Sequence, residues 1–233
     1  MRFPYLVFDL DGTLVDTSPA LIRGLDEVLG GLGRRRLEAA TVSRITGHGL
    51  RALLRSAVLM TGEPLTDGDL SAAVAQFRAV YERDLLALAI AAPGAQAAIA
   101  ALVERGARCA VLTNKPTHSS VKLLVHQGYS DVVDYVVGGD LELPRKPDAA
   151  GLLAILDNWQ ARREECLLVG SSRVDLQTAR NAEVRCAMIS PFSEPRSVFG
   201  LGADYLLPNF EALLPLATGR SDNGERIGVI TGG

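Results

Sequence analysis

Cysteine and histidine are both scarce, with three of each among 233 residues. The thiols fall in or beside apolar stretches, ARCAVL, ECLLVG and VRCAMI, and none has metal-ligand spacing. An odd number so placed reads as small buried thiols in a reducing compartment, not a disulfide framework. HExxH and CxxC are absent, which removes the common zinc sites. No sign of charge dominates: 24 Lys and Arg against 27 Asp and Glu leave a net −3, so nothing draws the chain to nucleic acid or an anionic membrane. The one basic run, Arg34-Arg35-Arg36, reads as a solvated face. Long apolar runs are missing as well; LLALAIAA at 85–92 is too short to span a bilayer. Asp9 and Asp11 break the first apolar segment too early for a signal peptide. The expectation is a cytoplasmic protein, monomer or homodimer, with no nucleic-acid or membrane partner.

What the chain does have is a rhythm. Short apolar runs, YLVF (5–8), CAVLT (109–113), DYVVGG (134–139), CLLVG (166–170), CAMIS (186–190) and DYLL (204–207), read as buried strands. Helical patterns such as AQAAIAALVERG, SSVKLLVHQG and AAGLLAILDNW lie between most of them, with Gly106 and Gly128 as stops. Strand alternating with helix predicts an α/β fold, a Rossmann-like parallel sheet with helices on both faces. Residues 17–87 break the rhythm and read as successive helices, opened by Ser18 as N-cap and Pro19 in the first turn. The predicted division is a core from 1–16 and 88–218, an inserted all-helical domain at 17–87, and a weakly ordered tail at 219–233. Trp159 is expected to pack near a helix end.

Ligands of an open parallel sheet bind at the carboxyl ends of its strands, so the polar residues that end each apolar run are the candidates. They are Asp9 and Asp11, then Thr113 and Asn114, then Lys146, then Ser171 and Asp175. Singly each has a plain structural role: Asp11-Gly12 a turn, Thr113-Asn114 a helix cap, Lys146 a solvated loop residue, Asp175 an N-cap. Together they suit phosphoryl transfer. A carboxylate can attack phosphorus to form an aspartyl-phosphate, although each pair of like charges costs about 4 kcal/mol at ~4 Å with an effective dielectric near 20. A divalent cation and a lysine offset that repulsion, and a second acid moves the proton.

The motifs D-x-D-G-T-L-V-D, L-T-N-K, R-K-P and V-G-x-S-x-x-D, in this order, resemble those of the haloacid dehalogenase-like phosphatases. The flanks VLTNKP, VVGGD, VGSSRVDLQTARNA and GADYLLPNFEALL are similar to the phosphoglycolate phosphatase branch, and the likeness covers roughly 1–218. It implies a magnesium-dependent hydrolysis of a small phosphorylated metabolite, with 2-phosphoglycolate the best single substrate. Asp9 would be nucleophile and metal ligand; Asp11 would be general acid/base, its backbone carbonyl also reaching the metal. Thr113 and Asn114 would bind the phosphoryl group, Lys146 would neutralise it, and Asp175 would orient metal-bound water. The helical insertion would be a cap that closes over the site, with Gly47, His48 and Arg51 of ITGHGLRALL facing the substrate. That segment also contains G-x-G-x-x-A, but no apolar strand precedes it, so a dinucleotide loop is not expected.

One residue departs from the family pattern. The first acid of the fourth motif, a direct magnesium ligand, is Ser171 here, a weak or absent ligand for a hard dication. Asp175 and waters could hold the metal at lower affinity; catalysis could be lost with phosphate binding kept; or the serine is a deliberate substitution or a sequencing error. The alternatives are therefore a weakened member that binds a phosphorylated ligand or partner protein, or a phosphatase or phosphomutase acting on a sugar phosphate. Asp11 argues against dehalogenase and phosphonate-hydrolase chemistry, whose branches lack an acid there.

Overall fold

The unbroken apolar runs become strands because both faces of a parallel sheet are covered. The computed structural model describes residues 1–46, 49–192 and 200–219. The chain opens with β1 (Tyr5–Phe8) and β2 (Val15–Asp16), then turns helical through α1 (Ser18–Gly31), α2 (Ala39–Ile45), α3 (Leu50–Thr61) and α4 (Asp67–Leu88). After β3 (Ile90–Ala91) it alternates: α5 (Ala95–Val103), β4 (Arg108–Leu112), α6 (Thr117–His126), β5 (Tyr135–Val137) and α7 (Ala150–Trp159). The last elements are β6 (Cys166–Gly170), α8 (Arg173–Ala182), β7 (Arg185–Ile189), β8 (Tyr205–Leu207) and α9 (Leu213–Thr218).

Six strands form one parallel sheet in the order β5-β4-β1-β6-β7-β8, and β2 pairs with β3 in a separate ribbon. From β1 the chain builds outward through β4 to β5, then returns to place β6 on the other side of β1. The strand order therefore reverses between β1 and β6, and the carboxyl ends of these strands flank the crevice where such sheets bind ligands. Val7, Leu112, Leu168 and Met188 pack under Leu152, Leu156 and Trp159 of α7 and Leu176 of α8, each worth about 1.5–3 kcal/mol of burial. Trp159 ends α7, stacked on Tyr5 at 5.4 Å and tilted against Tyr135 at 6.0 Å; it is a packing residue. All three cysteines are buried free thiols. Among the described residues no helix is long and apolar enough to cross a membrane.

The chain separates into one unit of Met1–Asp16 with Ala91–Gly233 and a second of Thr17–Ile90. Within the second, α1 packs on α4 so closely that a Cβ on Gly24 would stand 2.6 Å from the ring of Phe77. Leu25, Leu29, Leu54, Phe77 and Val80 are buried there.

Several local expectations need correction. Thr17, not Ser18, precedes α1, because the Leu21 amide donates to the Thr17 carbonyl and opens the helix one residue earlier. Helix α2 was not foreseen: only Val42 in it is buried, so it carries no apolar stripe. The two-residue strands β2 and β3 are too short to leave a pattern. Gly138 and Gly139 lie beyond β5, in a loop that matters below. Gly106 and Gly128 do adopt the left-handed conformation, at φ +87° and +79°, closing α5 and α6 as expected. All but the first residue of the expected tail, 220–233, lies outside the described residues.

Candidate active site

Phe8 pairs with Val111 on one side and Val169 on the other, so the chain leaves β1, β4 and β6 at one level. The first residues beyond the three strands are Asp9, Thr113 and Ser171. Asp9 is held by its amide, which donates to the Val169 carbonyl at 2.9 Å. Leu10 and Leu14 are fully buried, and the Leu10 carbonyl accepts from the amides of Thr13, Leu14 and Val15 at 3.2, 3.0 and 3.1 Å. That turn keeps Asp9 buried and leaves the Asp11 side chain 36% exposed. Two acids two positions apart thus meet different surroundings.

Lys146 joins strands that are far apart in sequence. Its Nζ donates to Asp9 Oδ1 and to Asp175 Oδ1, both at 2.6 Å, with all three side chains nearly or wholly buried. Burial, then the charge of Asp175, push the Asp9 carboxyl up from 3.8 to about 7, against the pull of Lys146. Burial alone would pull Lys146 down, but the carboxylates of Asp175 and Asp9 outweigh it and hold the ammonium above its ordinary range. For Asp9 the raised value costs stability. Between pH 4 and 7 the folded chain binds a proton that the unfolded chain has released, so stability falls as pH rises through that window. At about 1.4 kcal/mol per pH unit the whole loss is bounded by about 4 kcal/mol, while the Lys146 contribution stays constant below its ordinary value. The expected outcome is that the metal-free protein melts at lower temperature at pH 8 than at pH 5, and that Asp9→Asn flattens the trend. Equal slopes for wild type and variant would remove Asp9 as its source.

Asp175 spends its second oxygen on the start of α8. Its Oδ2 accepts from Ser171 N at 3.1 Å, Ser172 N at 2.9 Å and Ser172 Oγ at 2.6 Å. Ser172, not Asp175 as expected, is the N-cap, and Asp175 is its capping-box partner three residues on, so the carboxylate serves the helix start as well as the ion pair. Ser171 turns toward the first turn of the chain. Thr13 Oγ1 lies 3.0 Å from Asp9 Oδ2, to which its hydroxyl donates, and 3.0 Å from Ser171 Oγ.

The β4 end supplies the remaining groups. Thr113 is buried, its Oγ1 accepting from the Lys115 amide at 3.1 Å. Asn114 Nδ2 donates to the Lys146 carbonyl at 3.0 Å, while its buried Oδ1 has no hydrogen-bond partner. Lys115 closes the L-T-N-K motif, from which no role for it follows. Its buried ammonium reaches Asp11 Oδ1 at 3.0 Å and Oδ2 at 3.3 Å. A lysine three residues beyond an apolar strand, near a rim with three carboxylates, is the weak signal it leaves in the sequence. Thr13 of the first motif is a second residue whose contacts, to Asp9 and Ser171, are visible only in the fold.

The VVGGD segment holds this loop in place. Gly139 donates its amide to the Lys115 carbonyl at 2.9 Å, and Asp140 Oδ1 accepts from the Thr117 amide at 2.8 Å. A Cβ on Gly139 would come within 2.3 Å of the Asn114 carbonyl oxygen, a backbone atom that cannot swing aside. Gly139→Ala is therefore expected to destabilise the fold by about 1–3 kcal/mol, lowering the melting temperature by several degrees, and to reduce activity by displacing Asn114 and Lys115. An unchanged melting temperature would contradict that close approach.

Of the three residues expected on the cap, Gly47 and His48 lie outside the described residues. Arg51 is exposed in α3, with Nη1 donating to Ser71 Oγ at 3.0 Å and Nη2 3.7 Å from Asp67. A cleft of about 480 Å³ lined by Arg163, Glu183, Arg185 and Asp204 opens at the amino ends of β6, β7 and β8, away from the ligand-binding ends. Its charges are paired, Arg163 with Glu183 and Arg185 with Asp204. Among the described residues no three His, Cys, Asp or Glu side chains form a metal cage; at the strand ends three carboxylates are spread over two ammoniums.

The chain is similar to known proteins over most of its length. A family model described as haloacid dehalogenase-like hydrolase matches residues 6–189. The phosphoglycolate phosphatase of Rhodospirillum rubrum is 36% identical over 227 residues, covering 96% of this chain and 94% of that protein. A phosphoglycolate phosphatase of Cereibacter sphaeroides is 38% identical over 189 residues, covering 80% and 85%. In fold, the crystal structure of a predicted phosphoglycolate phosphatase from Haemophilus somnus matches with a TM-score of 0.84 at 24% identity, over 93% of this chain and 98% of that one.

Proposed function

The chain belongs to the haloacid dehalogenase-like hydrolases, and on that premise we propose that it is a magnesium-dependent phosphatase of a small phosphate monoester, 2-phosphoglycolate first among them. The observation that carries the reading is the Lys146 ammonium at 2.6 Å from both Asp9 and Asp175, at the strand ends where the sheet order reverses. Asp9 attacks phosphorus, and the bond from phosphorus to the ester oxygen breaks. Asp11 gives its proton to the departing alkoxide. Asp11 then takes a proton from water as that water attacks the aspartyl-phosphate, which releases inorganic phosphate and frees Asp9. Lys146 offsets the charge of the transferred group, and Thr113 and Asn114 bind its oxygens.

Magnesium fits these residues as an ion held by one or two carboxylates together with substrate oxygens and water. Burial, then the charge of Asp175, push Asp9 up to about 7 despite Lys146, so a further cation beside it would favour its anion. Asp9 and the Asp11 backbone carbonyl would hold the ion, with Asp175 behind water. Bound there, it supplies neutralisation of the phosphoryl charge.

A second reading has one observation in its favour: Ser171, a neutral hydroxyl engaged with Thr13, stands where a carboxylate would bind the metal. Under it the protein binds phosphorylated ligands and turns over little. Phosphate release from 2-phosphoglycolate across a magnesium titration separates the two. Release that climbs with magnesium supports the phosphatase; no release at any magnesium level removes 2-phosphoglycolate as its substrate and leaves either another monoester or the binding role.

A further inference from the structure

We propose that Lys115 selects the leaving group: its ammonium receives a carboxylate borne on the carbon next to the substrate's ester oxygen. This deepens the phosphatase reading and rests on it. The first observation is how firmly the side chain is placed. A lysine usually keeps its ammonium in water, yet that of Lys115 is buried, with its Nζ at 3.0 Å from Asp11 Oδ1 and 3.3 Å from Oδ2. Both ends of its backbone are tied as well, the amide to Thr113 Oγ1 at 3.1 Å and the carbonyl to the Gly139 amide at 2.9 Å.

The second observation is a division of labour between the two buried lysines. Lys146 lies between Asp9 and Asp175, the two innermost acids, and so belongs to the phosphoryl end. Lys115 touches the outer acid, the one that hands a proton to the ester oxygen. That proton crosses a hydrogen bond of about 2.7 Å, so the Lys115 ammonium stands within roughly 6 Å of the ester oxygen. In a two-carbon acid ester the carboxylate oxygens lie about 3 Å from the same oxygen, as backbone-like bond lengths dictate. The remaining gap is one charge-assisted hydrogen bond. An ester of a simple alcohol presents nothing to fill it.

The test compares 2-phosphoglycolate with 2-hydroxyethyl phosphate, which has the same length and a similar alkoxide but a hydroxyl in place of the carboxylate. Both need the Asp11 proton, so the ratio of their kcat/KM values isolates the carboxylate. Wild type is expected to favour 2-phosphoglycolate by roughly 100-fold, mostly in KM. Lys115→Met should bring the ratio to within a few-fold of one, and Lys115→Arg should restore much of it. Equal losses on both esters would mean that Lys115 only holds Asp11, and would overturn the proposal; so would a ratio untouched by Lys115→Met. Should the methionine variant fail to fold, the wild-type ratio still decides, since equal rates on both esters overturn the selection while leaving the phosphatase standing. Release from neither ester overturns both.

Discussion

Asp9→Asn is expected to lower phosphate release from 2-phosphoglycolate by at least about 10⁴-fold at every magnesium concentration, because removal of a covalent nucleophile leaves only binding and orientation. Asparagine matches the shape of the carboxylate and keeps an oxygen that can accept from Lys146 Nζ, so the loss reports chemistry and not collapse. The melting temperature supplies the control. Asp9 is buried with its carboxyl pushed up to about 7, so at pH 8 the wild-type fold carries an anion that burial opposes. The neutral variant should melt higher there in the absence of metal, the usual exchange of stability for function at such a site. A dead and more stable variant is the signature of a strained nucleophile. Activity above about 1% of wild type would instead exclude Asp9 as the attacking group.

Ser171→Asp is expected to tighten magnesium binding by roughly 10–100-fold. Ser171 Oγ is separated from Asp9 only by the Thr13 hydroxyl, at 3.0 Å from each, so a carboxylate at 171 stands beside the proposed metal anchor. The rim now holds Asp9, Asp11 and Asp175 against Lys115 and Lys146; a fourth acid raises its attraction for a dication. It also adds repulsion when the dication is absent. The variant should therefore melt lower than wild type in chelator and gain more from millimolar magnesium, since a ligand that binds only the folded state stabilises it by RT ln(1 + [L]/Kd), more for the tighter site. Calorimetric titration gives the affinity directly. An unchanged midpoint would mean that position 171 does not reach the ion, and that the serine is no handicap.

Much of this site could be read from strand ends alone. LVF, CAVL and CLLVG are apolar and buried, and the first polar residue after each stands at the carboxyl end of its strand, the edge where such sheets bind ligands. Asp9, Thr113 and Ser171 follow from that rule; Asp175 lies four residues further on, in the first turn of α8. Lys115 does not follow from it, since its backbone position suits a solvated side chain equally well; only the folded turn sends its ammonium to Asp11. The double service of Asp175 was half visible, as a residue at the start of a helix, but sequence spacing cannot reveal that one carboxylate gives one oxygen to the helix start and the other to Lys146. Helix α2 was hidden for a plainer reason: one buried valine leaves no periodicity to detect.

That division of Asp175 ties local order to chemistry. The oxygen facing the Ser171 and Ser172 amides and the oxygen facing Lys146 belong to one rigid group. Whenever the leading turn of α8 frays, the lysine loses one of its two counter-ions in the same instant. The breathing of a helix end, ordinarily a matter of a protein's mechanics alone, is here also a clock on how long the catalytic charge pattern persists.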